Sequence, residues 1–298
     1  MKTKIVYVLT SQSSDFYYEM ALLSVFSLRH YHPEAEVLLV MDEDTNRRLV
    51  DMKASILNDT IPVVVPIPQE YTVMHRSRYL KTRLPHFVSG DFLFIDGDTI
   101  ICSSLMEIDQ MEPEVAMAMD GNGGTAESFR YITEKCRKAG FDQLEGEPYY
   151  NGGAIYAKDC SVARTFFDTW HDIWRQSMQN GVPQDQPALY QANKLLEHPV
   201  KEMSGVWNCQ FNHPQAIRYV QKAKMLHWYA SSSSVVAILY RKILRHLKRR
   251  GKVTRVLAFF VLNPRPFVYT MLLLRWTLFA DSPFKRVVLN VYHFFRNL

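Results

Sequence analysis

Two pairs of aspartates, each with a single residue between its members, close apolar runs in this 298-residue sequence. Asp96-Gly97-Asp98 follows Phe92-Leu93-Phe94-Ile95, and Asp42-Glu43-Asp44 follows Val37-Leu38-Leu39-Val40-Met41. In extended backbone, side chains at i and i+2 face the same side. Hard divalent cations such as Mg²⁺ or Mn²⁺ take one or two carboxylates together with substrate phosphates. What comes next separates the two pairs. Asp44 and Thr45 lead straight into a helical pattern, so the first pair reads as a helix cap. The second runs on into Thr99-Ile100-Ile101 with no helix to cap, which leaves it for a metal, and Gly97 gives phosphates room to approach.

Three later segments carry polar groups at telling places. Tyr150-Asn151-Gly152-Gly153 opens a strand with an amide and two glycines, where backbone and Asn151 can meet sugar hydroxyls. Pro183-Gln184-Asp185-Gln186-Pro187 begins a helix, and Lys224-Met225-Leu226-His227 ends a short apolar run on a histidine. Each has a plainer reading: a turn at Asn151-Gly152, a cap at Asp185, a satisfied core histidine at His227.

The elements that must position these groups alternate. Continuous apolar runs predict strands over 5–9, 37–41, 63–66, 92–95, 115–119 and 154–157. Helical spacing predicts helices from Asp15 to the His32-Pro33 stop, over 45–56, 77–87, 161–178 and 184–196. Strands alternating with helices imply a doubly wound α/β sheet with ligands at the C-terminal strand ends.

In order and spacing, these motifs resemble the retaining GT-A glycosyltransferases of family 8, the group of bacterial lipopolysaccharide galactosyl- and glucosyltransferases and of glycogenin. The resemblance covers about residues 4–230 and implies a single GT-A Rossmann-like mixed sheet as catalytic domain over 1–230. It implies a Mn²⁺ or Mg²⁺ held by Asp96, Asp98 and His227, and a donor contacted by Arg78, with Asn151 and Gly152 around its sugar. Asp185 matches the acid that holds donor-sugar hydroxyls, Gln186 the amide beneath the anomeric carbon, and Asp120 an acid near the sugar pocket. Thr10, Asp15 and Tyr17 are implied at the nucleotide base, Tyr17 by stacking. The donor so implied is a UDP-hexose and the acceptor a hydroxyl on a glycan or lipid-linked glycan. The chain departs from the family at two places, and the first is the loop after the first strand, which lacks the family's acid. At the second, the family's histidine is followed by a lysine that grips the diphosphate; here His227 precedes Trp228-Tyr229-Ala230, and no lysine follows until Lys242. The metal, Arg78 or a residue of the tail must then serve.

Charge divides the chain. Residues 232–298 carry 13 Lys/Arg against the single acid Asp281, leaving 22 Lys/Arg and 29 Asp/Glu in an acidic body. Basic residues mixed with aromatic and leucine-rich stretches at 267–279 and 287–295 predict amphipathic helices over 231–298 lying on an anionic membrane surface. A buried helical cap is the other reading. Nucleic acid is disfavoured by the apolar density, and arginines and prolines interrupt any spanning segment. Four scattered cysteines form no zinc pattern and read as reduced thiols. The short apolar start at 5–9 reads as a strand rather than a signal peptide. These features together predict a cytoplasmic protein peripheral to the inner membrane face. Two other functions fit less well. A nucleotidylyltransferase needs a glycine-rich basic loop after the first strand, and 10–14 has neither glycine nor lysine. A glycan- or lipid-binding protein that lost turnover would explain the missing lysine.

Overall fold

The computed structural model describes residues 1–68, 70–123, 130–141, 146–228 and 235–270. Its strands are β1 (Lys4–Leu9), β2 (Val37–Asp42), β3 (Ile61–Val65), β4 (Phe92–Ile95), β5 (Thr99–Ile101), β6 (Val115–Met119), β7 (Tyr150–Ala157), β8 (Val200–Glu202) and β9 (Met225–His227). Seven form one mixed sheet in the order β3-β2-β1-β4-β7-β6-β8, while β5 and β9 pair separately. The sheet is parallel from β3 through β4, antiparallel on both sides of β7, and parallel again between β6 and β8.

The apolar runs are continuous because both faces of the sheet are covered. Ile5, Tyr7, Leu39, Met41, Leu93 and Ile95 enter one core; Val6, Leu38, Val40, Phe92 and Phe94 enter the other. Helix α1 (Tyr17–Tyr31) covers the first face. On the second lie α3 (Val73–Lys81), α6 (Ser161–Gln179) and α7 (Gln186–Leu195), with Phe166, Trp170 and Trp174 fully buried. The parallel pairing of β1 with β4 brings Thr10 and Asp96 to the same edge. That edge is where doubly wound sheets bind ligands.

Two helices are shorter than their spacing predicts. α2 (Glu43–Asp51) stops before Lys53, whose φ of 49° no helix accommodates, and the expected remainder becomes a 3₁₀ turn at Ser55–Asn58. The helix predicted over 77–87 begins earlier, as α3, and breaks before α4 (Leu84–Phe87). Pro85 lacks an N–H, and its ring would meet the carbonyl four residues back in an unbroken helix. α5 (Arg130–Ala139) lies between β6 and β7 in sequence.

The described part of the tail packs on the body. In α8 (Val235–Arg250) Tyr240, Leu244 and Leu247 join the same core as α1, as do Leu257 and Val261 of α9 (Arg255–Leu262). Arg265 donates to the carbonyls of Cys102 and Ala223, both at 2.7 Å. The buried-cap reading thus holds for one face of these helices. Their other face exposes Val256, Phe259 and Phe260. No helix among the described residues is long and apolar enough to cross a membrane. The stretch at 287–295 and most of that at 267–279 lie outside the described residues. All four cysteines are free thiols, and burial pushes Cys102 and Cys136 up to about 12.

Candidate functional site

A cleft of about 590 Å³ opens at the C-terminal ends of β1 and β4. Thr10, Asp15, Tyr17, Arg78, Asp96, Gly97, Asp98, Asn151, Gly152, Asp185, Gln186 and His227 all line it. Asp120 does not, although it is buried just behind.

One wall is built by the small ladder. β5 leaves the Asp96-Gly97-Asp98 turn and pairs antiparallel with β9, Thr99 opposite His227. This sets His227 Nε2 3.2 Å from Asp98 Oδ1. Ligand atoms of Asp96, Asp98 and His227 all lie within 4.8 Å of one another. Gly153 makes the wall possible, because a Cβ there would meet His227 Cε1 at 2.3 Å. His227 Nδ1 sits 2.9 Å from Asn208 Oδ1, so Nδ1–H donates to the amide and Nε2 turns toward the carboxylates. The chain of contacts continues inward. Asn208 donates to Asn151 Oδ1 at 2.8 Å, and Asn151 donates to Asp120 Oδ1 at 2.7 Å. Asp120 therefore reaches the cleft through Asn151. The Asn151 carbonyl oxygen also accepts from Gly153 N–H, so this amide braces the strand that faces His227.

Charge in this wall is out of balance. Burial raises Asp96; Lys81 opposes the rise and Asp98 adds to it. Burial would also raise Asp98, but His227 holds it below the usual carboxylate range. His227 would be lowered by burial and is instead raised by Asp98. Two half-buried carboxylates on one turn, one facing Lys81 and the other His227, form a donor set that a divalent cation would complete. Two oxygen donors and one braced imidazole suit such an ion, so the residues present fit Mn²⁺ or Mg²⁺.

The opposite wall is cationic. Arg78 Nε lies 2.9 Å from Asp185 Oδ1, an ion pair without an aligned hydrogen bond. Lys81, one turn further along α3 and itself buried, bridges Asp185 at 3.4 Å and Asp96 at 3.5 Å. Burial would raise Asp185, yet Arg78 and Lys81 hold it below the usual carboxylate range. Asp185 occupies the N-cap position of α7 but makes no side-chain cap, so its carboxylate serves the cleft and not the helix. Gln186 donates to the Tyr150 carbonyl at 3.3 Å, which holds its amide against the strand carrying Asn151.

At the third side, Asp15 ties its loop together by accepting from Ser11 Oγ, Gln12 N–H and Tyr17 N–H. Thr10 donates to the Val73 carbonyl at 3.0 Å. Tyr17 is half exposed, presenting a ring at the cleft mouth.

Three lining or bracing residues escaped the sequence reading. Lys81 sits three residues after Arg78, a spacing that places both on one helix face. Asn208 lies in Trp207-Asn208-Cys209-Gln210-Phe211-Asn212, where strict polar–apolar alternation is the available signal. Arg241 comes from α8 and also lines the cleft.

No protein-family model matches this sequence, and no curated protein matches it. Solved structures do match. The galactosyltransferase LgtC in complex with donor and acceptor sugar analogs aligns over 82% of this chain and 96% of its own, with TM-score 0.54 and 16% identity. Mouse xyloside xylosyltransferase 1 aligns over 78% of this chain and 99% of its own, with TM-score 0.51 and 10% identity. The glycosyltransferase GlyE of Streptococcus pneumoniae TIGR4 aligns over 84% of this chain and 64% of its own, with TM-score 0.51 and 14% identity. The neighbours are GT-A-type glycosyltransferases, and the chain has their fold, in keeping with the family 8-like motifs of its sequence.

Proposed function

We propose that the protein is a metal-dependent glycosyltransferase that moves a hexose, with retention, from a UDP-sugar to a hydroxyl of a glycan or lipid-linked glycan. The observation that carries this reading is the convergence of Asp96, Asp98 and His227 on a cleft shared with Arg78, Asp185 and Gln186. The glycosyltransferase structures that the fold matches favour this reading over a non-catalytic sugar-binding protein.

A divalent ion held by Asp96, Asp98 and His227 would act as Lewis acid, neutralising charge on the departing diphosphate. Gly97 lets α1 approach the ligand turn, since a Cβ there would meet Ala21 at 3.4 Å, Gly152 leaves room for Lys81, and Arg78 offers the donor a cation. Asp185, held ionised by Arg78 and Lys81, is a hydrogen-bond acceptor for sugar hydroxyls. The same ion pairs make it a poor nucleophile, and Gln186 is neutral. Retention then follows from attack on the face that the leaving group departs. The bond from C1 to the diphosphate oxygen breaks, the acceptor oxygen bonds to C1, and its proton passes to the departing phosphate.

The tail supports work at a cytoplasmic membrane surface, since α8 is basic and α9 exposes Val256, Phe259 and Phe260.

The test is a thermal-shift panel of nucleoside diphosphates and their sugars, with and without Mn²⁺, on the wild type and Asp98→Asn. A Mn²⁺-dependent rise with one nucleotide, lost in the variant, is expected, because a ligand of the native state raises the midpoint by mass action. Absence of any nucleotide shift in the wild type would overturn the reading.

A further inference from the structure

Two cationic groups of the cleft already face acids. Arg78 pairs with Asp185, and Lys81 bridges Asp185 and Asp96. A nucleoside diphosphate brings further negative charge, and no lysine stands between His227 and Lys242 to meet it. Arg241 also stands in the cleft wall.

Its position along the cleft follows from what surrounds it. Trp228 N–H donates to the Asp98 carbonyl at 2.8 Å. The Trp228 ring stacks on Tyr240, centroids 4.7 Å apart and planes 20° from parallel. Tyr240 is fully buried, so the residue after it is anchored beside the metal-ligand turn. At the far end of α8, Lys248 donates to the carbonyls of Ser13 and Asp15 and lies over the Phe16 ring, 5.1 Å from its centroid. Arg241 and Lys248 are seven residues apart, hence on one helix face and separated by about 10 Å along the axis. The helix therefore runs from the carboxylate cluster to the loop of Asp15 and Tyr17. A diphosphate lies between a metal and a base, and Arg241 is at the metal end of that span.

We propose that Arg241 binds the diphosphate of the nucleotide, making α8 a wall of the donor site. This rests on the nucleotide-sugar reading above. It also assigns the role to a residue outside 4–230, the span of the family resemblance, so no motif within that span could reveal it. An arginine here offers a charged, forked donor to phosphate oxygens.

The experiment is calorimetric titration, with Mn²⁺, of UDP, GDP, ADP, CDP and TDP and the corresponding nucleosides into the full chain, its Arg241→Gln and its Arg241→Lys variants. The wild type should bind one diphosphate far more tightly than its nucleoside. Arg241→Gln should weaken that diphosphate by about 10- to 100-fold, the loss of one charge-assisted contact. Its nucleoside affinity should stay unchanged, and Arg241→Lys should recover part of the loss. Equal affinity of wild type and Arg241→Gln for the diphosphate overturns the Arg241 assignment and leaves the nucleotide-sugar reading standing. A parallel loss for diphosphate and nucleoside also overturns it, since the residue would then only support the fold. A wild type that binds no nucleotide overturns both.

Discussion

Asp42-Glu43-Asp44 and Asp96-Gly97-Asp98 begin alike, at the C-terminal ends of buried parallel strands two places apart in one sheet. Their fates differ. Asp42 accepts from Thr45 N–H at 2.6 Å and caps α2, while Asp44 points outward to Arg76 at 2.8 Å and Arg47 at 3.5 Å. Both first-pair acids are matched locally by a helix N-terminus and nearby arginines. The second pair has no helix to cap; β5 carries it to β9, where His227 meets Asp98. A carboxylate pair thus becomes structural or chemical according to what the next few residues do. The same lesson separates two buried histidines. His227 faces carboxylates and is raised, whereas His171 faces Thr82 Oγ1 at 2.8 Å in the core and is lowered to about 4, by burial and then by Arg83.

The largest expected contrast is in turnover. Asp98→Asn should reduce Mn²⁺-dependent sugar transfer or donor hydrolysis by on the order of 10²- to 10³-fold, the scale of losing transition-state charge stabilisation. Asp44→Asn should keep it within about twofold, as a change at an exposed ion pair is small. Equal losses would erase the distinction between the pairs. Gly153→Ala should come next. The new methyl group must displace the His227 ring, weakening Mn²⁺ binding by about 10- to 100-fold in titration calorimetry. The same strain should cost about 1–3 kcal/mol in denaturant unfolding. Unchanged metal affinity would mean that His227 is no ligand.

The histidine comparison predicts a pH effect. His171 takes its proton more readily unfolded, near 6.5, than folded, near 4. As pH falls through that window the unfolded chain binds the proton first, so stability falls with pH. After solvent screening this contributes on the order of 2 kcal/mol. Guanidinium unfolding at pH 7 and pH 4.5 should show a larger drop for the wild type than for His171→Asn. The smallest effect is at the cap: Asp42→Ala should lower stability by about 1 kcal/mol without altering the metal affinity. A loss of Mn²⁺ binding in that variant would break the comparison.

Much of this was legible locally. The strand runs, the break of α1 near Pro33 and the contrast between Thr45 and Thr99 after each acid pair depend on a few neighbouring residues. Where local reading failed, a longer reach was involved. The exception is the helix predicted over 77–87, which broke because a residue within it, Pro85, outweighed the surrounding helix formers. Asp185, a plausible cap by position, was claimed by Arg78 and Lys81 from another helix. Asn208 carried only an alternating pattern, which predicts an outward-facing amide, whereas the fold buries it between Asn151 and His227.

By itself the sequence determined the α/β alternation, the two-faced burial of its strands, the acid pair with no helix to cap and the acidic body with its basic tail. Each follows from periodicity, capping chemistry or summed charge, properties that neighbours along the chain decide. Only the tertiary structure decided that Asn208 braces His227, that Lys81 spans Asp96 and Asp185, and that α8 lays Arg241 along the cleft. Those contacts join segments distant in sequence, and their geometry is set by sheet order and core packing, which no local pattern encodes.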